Sequence, residues 1–333
     1  MSIRAPAIDA LLKRRKLTAL EMLPWLLIVF VYFEMPTYLP FGNQIIVMII
    51  FALSLDLVVG YAGVVTLGHA AFFGAGAYIA GLIAVAGWNE PISTLLLAGV
   101  GAAALGALTG AVILRATGLG LLMLGMVVGL ILTQLANRFS WLTGGFDGLR
   151  GVNFDPLLGK FDFDIFGRTA YCYSAVVLLL IWIFARLLIN APFGQSLAGI
   201  RENADRMEAI GTPVWRRKLL AFTLSAGIAG LAGGLATESA GFVSLSVLSL
   251  ELSGAILVML VLGGVGRIYG AFVGVPLYMI AQDTISKGDP VYWNFWIGAI
   301  LLLVVLFAKG GVLGIYDVVV RFSSRRAATW GRG

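Results

Sequence analysis

Few groups in this 333-residue chain are able to do covalent chemistry: it has one histidine, His69, and one cysteine, Cys172. A nucleophile–base–acid triad needs a histidine oriented by a carboxylate, and a structural zinc site needs several thiolates or imidazoles, so this stock argues against both. A single cysteine also excludes an internal disulfide framework. Two ionisable residues stand in apolar surroundings, Asp56 in "LSLDLVVG" (53–60) and His69 in "TLGHAAFF" (66–73). A carboxylate at the centre of a bilayer costs roughly 2.5–3.5 kcal/mol on insertion scales. Asp56 therefore either reaches an interface or serves a solute path, and His69 makes a helix-end or packing hydrogen bond or serves the same path. No Gly-x-x-x-x-Gly-Lys-Ser/Thr loop occurs, and "GAGAYI" (74–79) is the nearest approach to a dinucleotide fingerprint. The chain thus has no phosphate loop with which to hydrolyse ATP, and any work it does draws on a partner or an ion gradient.

The densest charge lies in "GQSLAGIRENADRMEAIGTPVWRRK" (194–218), which holds eight of the chain's 40 charged residues. Pro192 and Pro213 bracket it, and Leu197, Ile200, Ala204 and Met207 recur at helical spacing while Arg201, Glu202, Asp205 and Glu208 fall largely on other faces. This pattern predicts one short amphipathic helix fenced by prolines. Its apolar stripe is too short to anchor in lipid, and its mixed charge suits a groove on a protein partner better than an anionic surface. The alternative is a solvated loop that only fixes topology.

The elements that must position these residues are membrane spans. The chain is 60% hydrophobic and only 12% charged, and its mean hydropathy is +0.96. Apolar runs of about 18 residues or more recur along it. The expected fold is an all-α polytopic membrane protein with spans near 22–40, 43–60, 64–87, 93–114, 118–136, 170–190, 219–237, 250–266, 268–285 and 292–309. Around them lie a basic N-terminal segment (1–21), an outside loop (137–169), the charged inside loop (191–218) and a basic tail (310–333). "EMPTYLP" (34–40) follows the first apolar run without a small-residue cleavage site, so a retained first helix is expected. With the N-terminus inside, 18 of the 23 basic residues fall on the inner side, as the positive-inside rule requires. That distribution explains the pI near 9.5 better than nucleic-acid binding does. Ten spans divide into two fives of opposite sense, which predicts an inverted five-plus-five arrangement with some helices broken. Gly60, Gly63, Gly68, Gly74 and Gly76 crowd the third span and predict a segment that unwinds around a passing solute. "GALTG" (106–110), "GMVVG" (125–129) and "GAFVG" (270–274) are small-x-x-x-small repeats, read chiefly as helix packing.

Four blocks carry a family resemblance. The stretch "FGQSLAGIRENADRMEAIGTPVWRRKLLAFTLSAGIAGLAGGL" (193–235) resembles the cytoplasmic loop and following helix of the LivM-type permease of branched-chain amino acid ABC transporters. "GYAGVVTLGHAAFFGAGAYIAG" (60–81), "LTGGFDGLRGV" (142–152) and "VLGGVGRIYGAFVG" (261–274) resemble that family's third-span, outside-loop and late glycine-rich motifs, in the family's order. The likeness runs from about residue 40 to 315. At "AKGGVLG" (308–314) the chain departs from the Pro-Arg-Gly-Leu its relatives tend to show.

The resemblance implies a transmembrane subunit of an importer, with 192–213 acting as the coupling helix against an ATPase. By that likeness Arg201, Glu202, Asp205, Arg206, Glu208 and Gly211 are the candidate coupling residues, although the wider Glu-Ala-Ala importer signature is degenerate here. Asp56, Gly60, Gly63, Gly68, His69, Gly74 and Gly76 are the candidate path residues. The implied partners are a LivH-type second permease, two ABC ATPase subunits that bind ATP and Mg²⁺, and a periplasmic or surface-anchored solute-binding protein. The implied location is the bacterial inner membrane with both termini cytoplasmic. The chain itself is expected to bind no cofactor and no metal and to be no enzyme. Substrates of the family include leucine, isoleucine and valine, and relatives handle urea, amides or aromatic acids. The competing reading is a stand-alone ion-coupled transporter, which predicts paired ionisable residues deep in the spans.

Overall fold

Proline placement and apolar run length set the helices of the computed structural model, which describes residues 22–162, 164, 167–307, 310–312 and 314. Among them all regular structure is helical apart from two isolated bridges, Leu149 with Val243 and Leu157 with Phe161. The helices are α1 (Leu23–Glu34), α2 (Leu39–Asp56), α3 (Ala70–Val85), α4 (Pro91–Ile113), α5 (Leu119–Arg138), α6 (Ser140–Thr143) and α7 (Arg168–Asn190). There follow α8 (Pro192–Glu202), α9 (Ala204–Ala209), α10 (Val214–Ala240), α11 (Leu250–Gly263), α12 (Gly270–Gly288) and α13 (Trp293–Phe307). Pro24, Pro91 and Pro192 occupy the first turns of α1, α4 and α8, where a missing N–H leaves no hydrogen bond broken.

Each predicted span meets a helix, with instructive differences. The first ends early, because Pro36 cannot continue α1 and a tight turn (Pro36–Tyr38) follows. The third is helical only from Ala70, and residues 62–69 ahead of it are irregular chain. The seventh is longer than its apolar run: α10 has 27 residues, about 40 Å, and starts ahead of Arg216 and Lys218. A hydrocarbon core is about 30 Å thick. α3 and α11, with 16 and 14 residues, reach about 24 and 21 Å and fall short of it. The basic segment 1–21 lies outside the described residues, as do 308–309 and most of the tail from 313 onward.

α2 and α10 form the centre. From Ile49 to Asp56 every side chain of α2 is buried, as expected for a helix apolar all round. α10 packs on α3 and α4, which also pack on each other; α2 packs on α11 and α12, which again pack on each other. Spans two and seven thus hold equivalent places in the two halves, and so do the short, interrupted spans three and eight. This is the packing expected of an inverted five-plus-five membrane protein.

The single amphipathic helix expected over 192–213 is two helices. Asn203 is extended (φ −159°, ψ 103°) and its side-chain oxygen accepts the Arg206 N–H at 2.9 Å. An asparagine that caps a new helix start has to leave the helical conformation to do so, and that breaks the run.

Candidate functional site

The charged loop, the end of span two with Gly60 and Gly63, and the link between α11 and α12 converge at one end of the bundle, the end that the charge pattern places inside. After Asp56 the second span does not stop cleanly but widens into a π-type turn, Leu57–Tyr61, with the Ala62 N–H reaching the Leu57 carbonyl at 3.3 Å. Such turns free a carbonyl and re-aim the chain. The freed carbonyl is that of Gly60, which accepts a hydrogen bond from Arg201 Nη1 on α8. One turn back, Asp56 is 2% exposed, and its Oδ1 accepts the backbone N–H of Gly266 at 2.7 Å. Gly266 sits in the irregular link between α11 and α12.

Three segments therefore clasp one another: the end of span two, the α11–α12 link and the charged helix. The fit depends on missing side chains. A methyl group on Gly60 would overlap the Asp56 carboxylate and the Gly266 nitrogen, and one on Gly266 would lie 2.7 Å from Arg201 Nη1. Gly266 (φ +79°) and Gly63 (φ +69°) are also left-handed, a conformation L side chains rarely adopt. The Arg201 stem lies directly on Gly63.

The apolar stripe of the charged loop serves this chain's own packing, contrary to the expectation that it would dock on a partner. Leu197 and Ile200 are buried against the bundle, and the Met207 thioether of α9 lies against Gly199 of α8. Arg217 at the start of α10 stacks over Phe193, 5.6 Å from the ring centre. What remains outward is Glu202, Asp205, Arg206, Glu208 and Gly211, together with Ile210, whose side chain is 75% exposed. Of the six candidate coupling residues, Arg201 alone is engaged with the transmembrane helices. Ile210 was missed, because a single apolar residue off the stripe gives no periodic signal.

Near the clasp, His69 is 1% exposed and bridges the two central helices. Its Nε2 lies 2.9 Å from Ser54 Oγ on α2 and 3.3 Å from Ser225 Oγ on α10. Ser54 donates its own proton to the Phe51 carbonyl at 2.6 Å, so the short contact requires Nε2 to carry the hydrogen. The ring stacks on Phe51 (5.6 Å between centroids, 7° between planes) and meets Phe72 edge-on. His69 thus acts as a packing and hydrogen-bonding hub in this conformation. Immediately after it, the Ala70 N–H at the start of α3 donates to Ser253 Oγ on α11 at 2.9 Å, so the two short helices meet.

The other path glycines allow close approach: Gly68 against the Gly125 carbonyl, Gly74 against Leu248, and Gly76 against Gly230. The sequence offered no sign of Glu238, which is buried near the far end of α10 and accepts a 3.0 Å hydrogen bond from Thr94 Oγ1. It stands one residue beyond the predicted end of span seven, where interface exposure seemed assured.

Comparison with known proteins bears directly on this arrangement. The family model for the permease component of branched-chain amino acid transport systems matches residues 38–305. The chain is similar to the high-affinity branched-chain amino acid transport system permease protein LivM of Salmonella typhimurium, at 26% identity over 97% of this chain and 80% of that protein. LivM of Escherichia coli K12 is 27% identical over 92% of this chain and 77% of its own length. The autoinducer 2 import system permease protein LsrC of Klebsiella pneumoniae is 27% identical over 56% of this chain and 53% of its own length. No solved structure matches the chain.

Proposed function

The chain belongs to the family of permease components of branched-chain amino acid transport systems, and from that premise we propose that it forms the solute path for a branched-chain amino acid or a closely related small amphipathic solute. The observation that carries the reading is a clasp between the charged loop and the transmembrane helices, with Arg201 on Gly60 and Asp56 on Gly266, in a chain matched by that family over 38–305. A cytosolic lever tied to irregular membrane segments is what an importer driven by external ATPases needs, because force applied to the lever must reach the gate. Such coupling requires an element with two discrete arrangements that both sites can bias. The π-type turn and the α11–α12 link are the segments able to supply it.

In this reading α9 and the turn after it contact the ATPase. Ile210 enters an apolar groove, and Glu202, Asp205, Arg206 and Glu208 set orientation around it. ATP and Mg²⁺ are held by two ATPase subunits, and this chain holds no cofactor. A LivH-type permease completes the membrane part, and a periplasmic or surface-anchored binding protein delivers solute at the opposite end. The assembly sits in the bacterial inner membrane with both ends of the chain in the cytoplasm. The family match and the LivM and LsrC relatives give no support to the ion-coupled alternative.

The test is a reconstituted complex carrying Ile210→Asp or the pair Asp205→Lys and Arg206→Glu. Each is expected to abolish solute uptake and stimulation of ATP hydrolysis while membrane insertion stays normal. Uptake that survives these changes, or that proceeds without any ATPase, overturns the reading.

A further inference from the structure

The Arg201 side chain runs along the end of span two. Its stem covers Gly63 and its Nη1 donates to the Gly60 carbonyl. One turn further into the bundle, four residues before Gly60, stands the Asp56 carboxyl group. Both groups lie against Gly266, whose N–H donates to Asp56 Oδ1 at 2.7 Å and on which a methyl would sit 2.7 Å from Arg201 Nη1. Among the described residues the two nevertheless form no ion pair.

Each is left short by this arrangement. Asp56 Oδ2 is buried without a hydrogen-bond partner among the described residues. Buried polar atoms are nearly always paired, so a bare carboxyl oxygen favours any conformation that brings it a donor. Arg201 has five N–H donors, and only Nη1 bonds a protein group among the described residues. Missing side chains keep the way between them open. A methyl on Gly60 would overlap the Asp56 carboxylate, and one on Gly266 would crowd the guanidinium.

We propose that Asp56 is the second seat of Arg201. In one conformation of the working transporter the guanidinium holds the Gly60 carbonyl, as it does here. In the other it moves one turn inward and pairs with the Asp56 carboxylate. The inference rests on the importer reading above and gives its lever two stops. The step is about 5.4 Å, one helical turn, by which packed elements ratchet past one another. The free energies also balance. The first seat leaves Asp56 without a donor but keeps the guanidinium partly in water. The second satisfies the carboxylate but desolvates the guanidinium, and such gains and penalties largely cancel. Two states so closely matched are ones that a partner's differential contact can select. Leaving the first seat also removes the side-chain bond on the π-type turn, so the irregular segment 62–69 is released in the same step. Asp56 is thus a positioning residue for transport, acting through Arg201.

The experiment uses the assembled complex with its binding protein in vesicles and reads leucine uptake and ATP hydrolysis together. Asp56→Asn keeps an acceptor for the Gly266 N–H but no charge, and Arg201→Gln keeps a donor but no charge. Each alone is expected to raise the ATP hydrolysed per leucine imported by about tenfold. The double variant should raise it no further, because the two residues act as one pair. Costs that multiply, to about a hundredfold in the double variant, overturn the proposal, since Asp56 then serves Gly266 independently of Arg201. An unchanged ratio in Asp56→Asn overturns it as well. Asp56→Glu keeps the charge one methylene out of place; its smaller cost should vanish when Arg201→Gln is present. That pair carries the test if Asp56→Asn does not assemble, and a cost that persists overturns the second seat. The unmodified complex separates the two readings. If its leucine uptake requires ATP, multiplying costs remove the second seat alone; if it shows no ATP-driven uptake, the importer reading and the second seat fall together.

Discussion

The same two helices, α2 and α10, have opposite characters at their two ends. Toward the charged loop their surroundings are packed to backbone contact: Gly60 meets Asp56 and Gly266, Gly63 lies beneath Arg201, and His69 ties Ser54 to Ser225. Toward the far end they part around a cavity of about 400 Å³, with the Asn43 amide unpaired. Density belongs where a mechanical signal must pass, because only closely packed segments move as discrete bodies instead of deforming continuously. The contrast teaches that one helix pair can be packed to backbone contact at one end and leave a cavity at the other without a domain boundary between them.

The largest effect that would break this contrast lies at the dense end. Gly60→Ala and Gly266→Ala each place a methyl group on polar atoms, and the second also strains a positive φ. Both are expected to destabilise by about 3 kcal/mol, the top of the usual range, and to abolish uptake. Thermal inactivation midpoints in detergent read the first effect and vesicle uptake the second, and unchanged midpoints would mean the clasp is looser than it is drawn here. His69→Ala follows, at about 2 kcal/mol, because it removes the bridge to Ser54 and Ser225 and leaves a void between Phe51 and Phe72.

At the hollow end the sign reverses. Asn43→Leu removes a buried unpaired amide and should stabilise the chain by about 1 kcal/mol. A midpoint that drops instead would show that the amide has a structural partner and would erase the contrast. The smallest change in stability, under about 0.5 kcal/mol, is expected for the exposed Arg201→Lys. Its effect should appear in the ratio of ATP hydrolysed to solute imported, which rises because lysine cannot reproduce the directed guanidinium contact. An unchanged ratio would confine Arg201 to a structural role.

Much of this was legible in the residues. Run lengths gave a helix for each span, Pro192 and Pro213 delimited the charged segment, and Asp56 and His69 were marked as the odd polar groups in apolar surroundings. The surroundings of those two residues in this conformation are set by contacts from distant parts of the chain. Asp56 is held by Gly266, 210 positions away, and His69 by Ser225, 156 positions away, and no local pattern encodes such separations. Asn203 was overlooked because a capping asparagine inside a helical pattern looks like any other polar residue on the exposed face. Glu238 and Asn43 were overlooked because each stands at a predicted span boundary, where hydropathy treats a polar residue as unremarkable.

What the sequence alone determined is solvent, through apolar runs long enough to cross a bilayer, while the basic residues biased to one side predict a direction. Both follow from transfer free energies that are additive along the chain. Only the tertiary structure decided that Arg201 reaches the Gly60 carbonyl while Ile210 has no such contact, and that the central helices close at one end and part at the other. Those outcomes depend on which backbones approach within a few ångströms, and that is a property of pairs of distant segments, which no single stretch of residues contains.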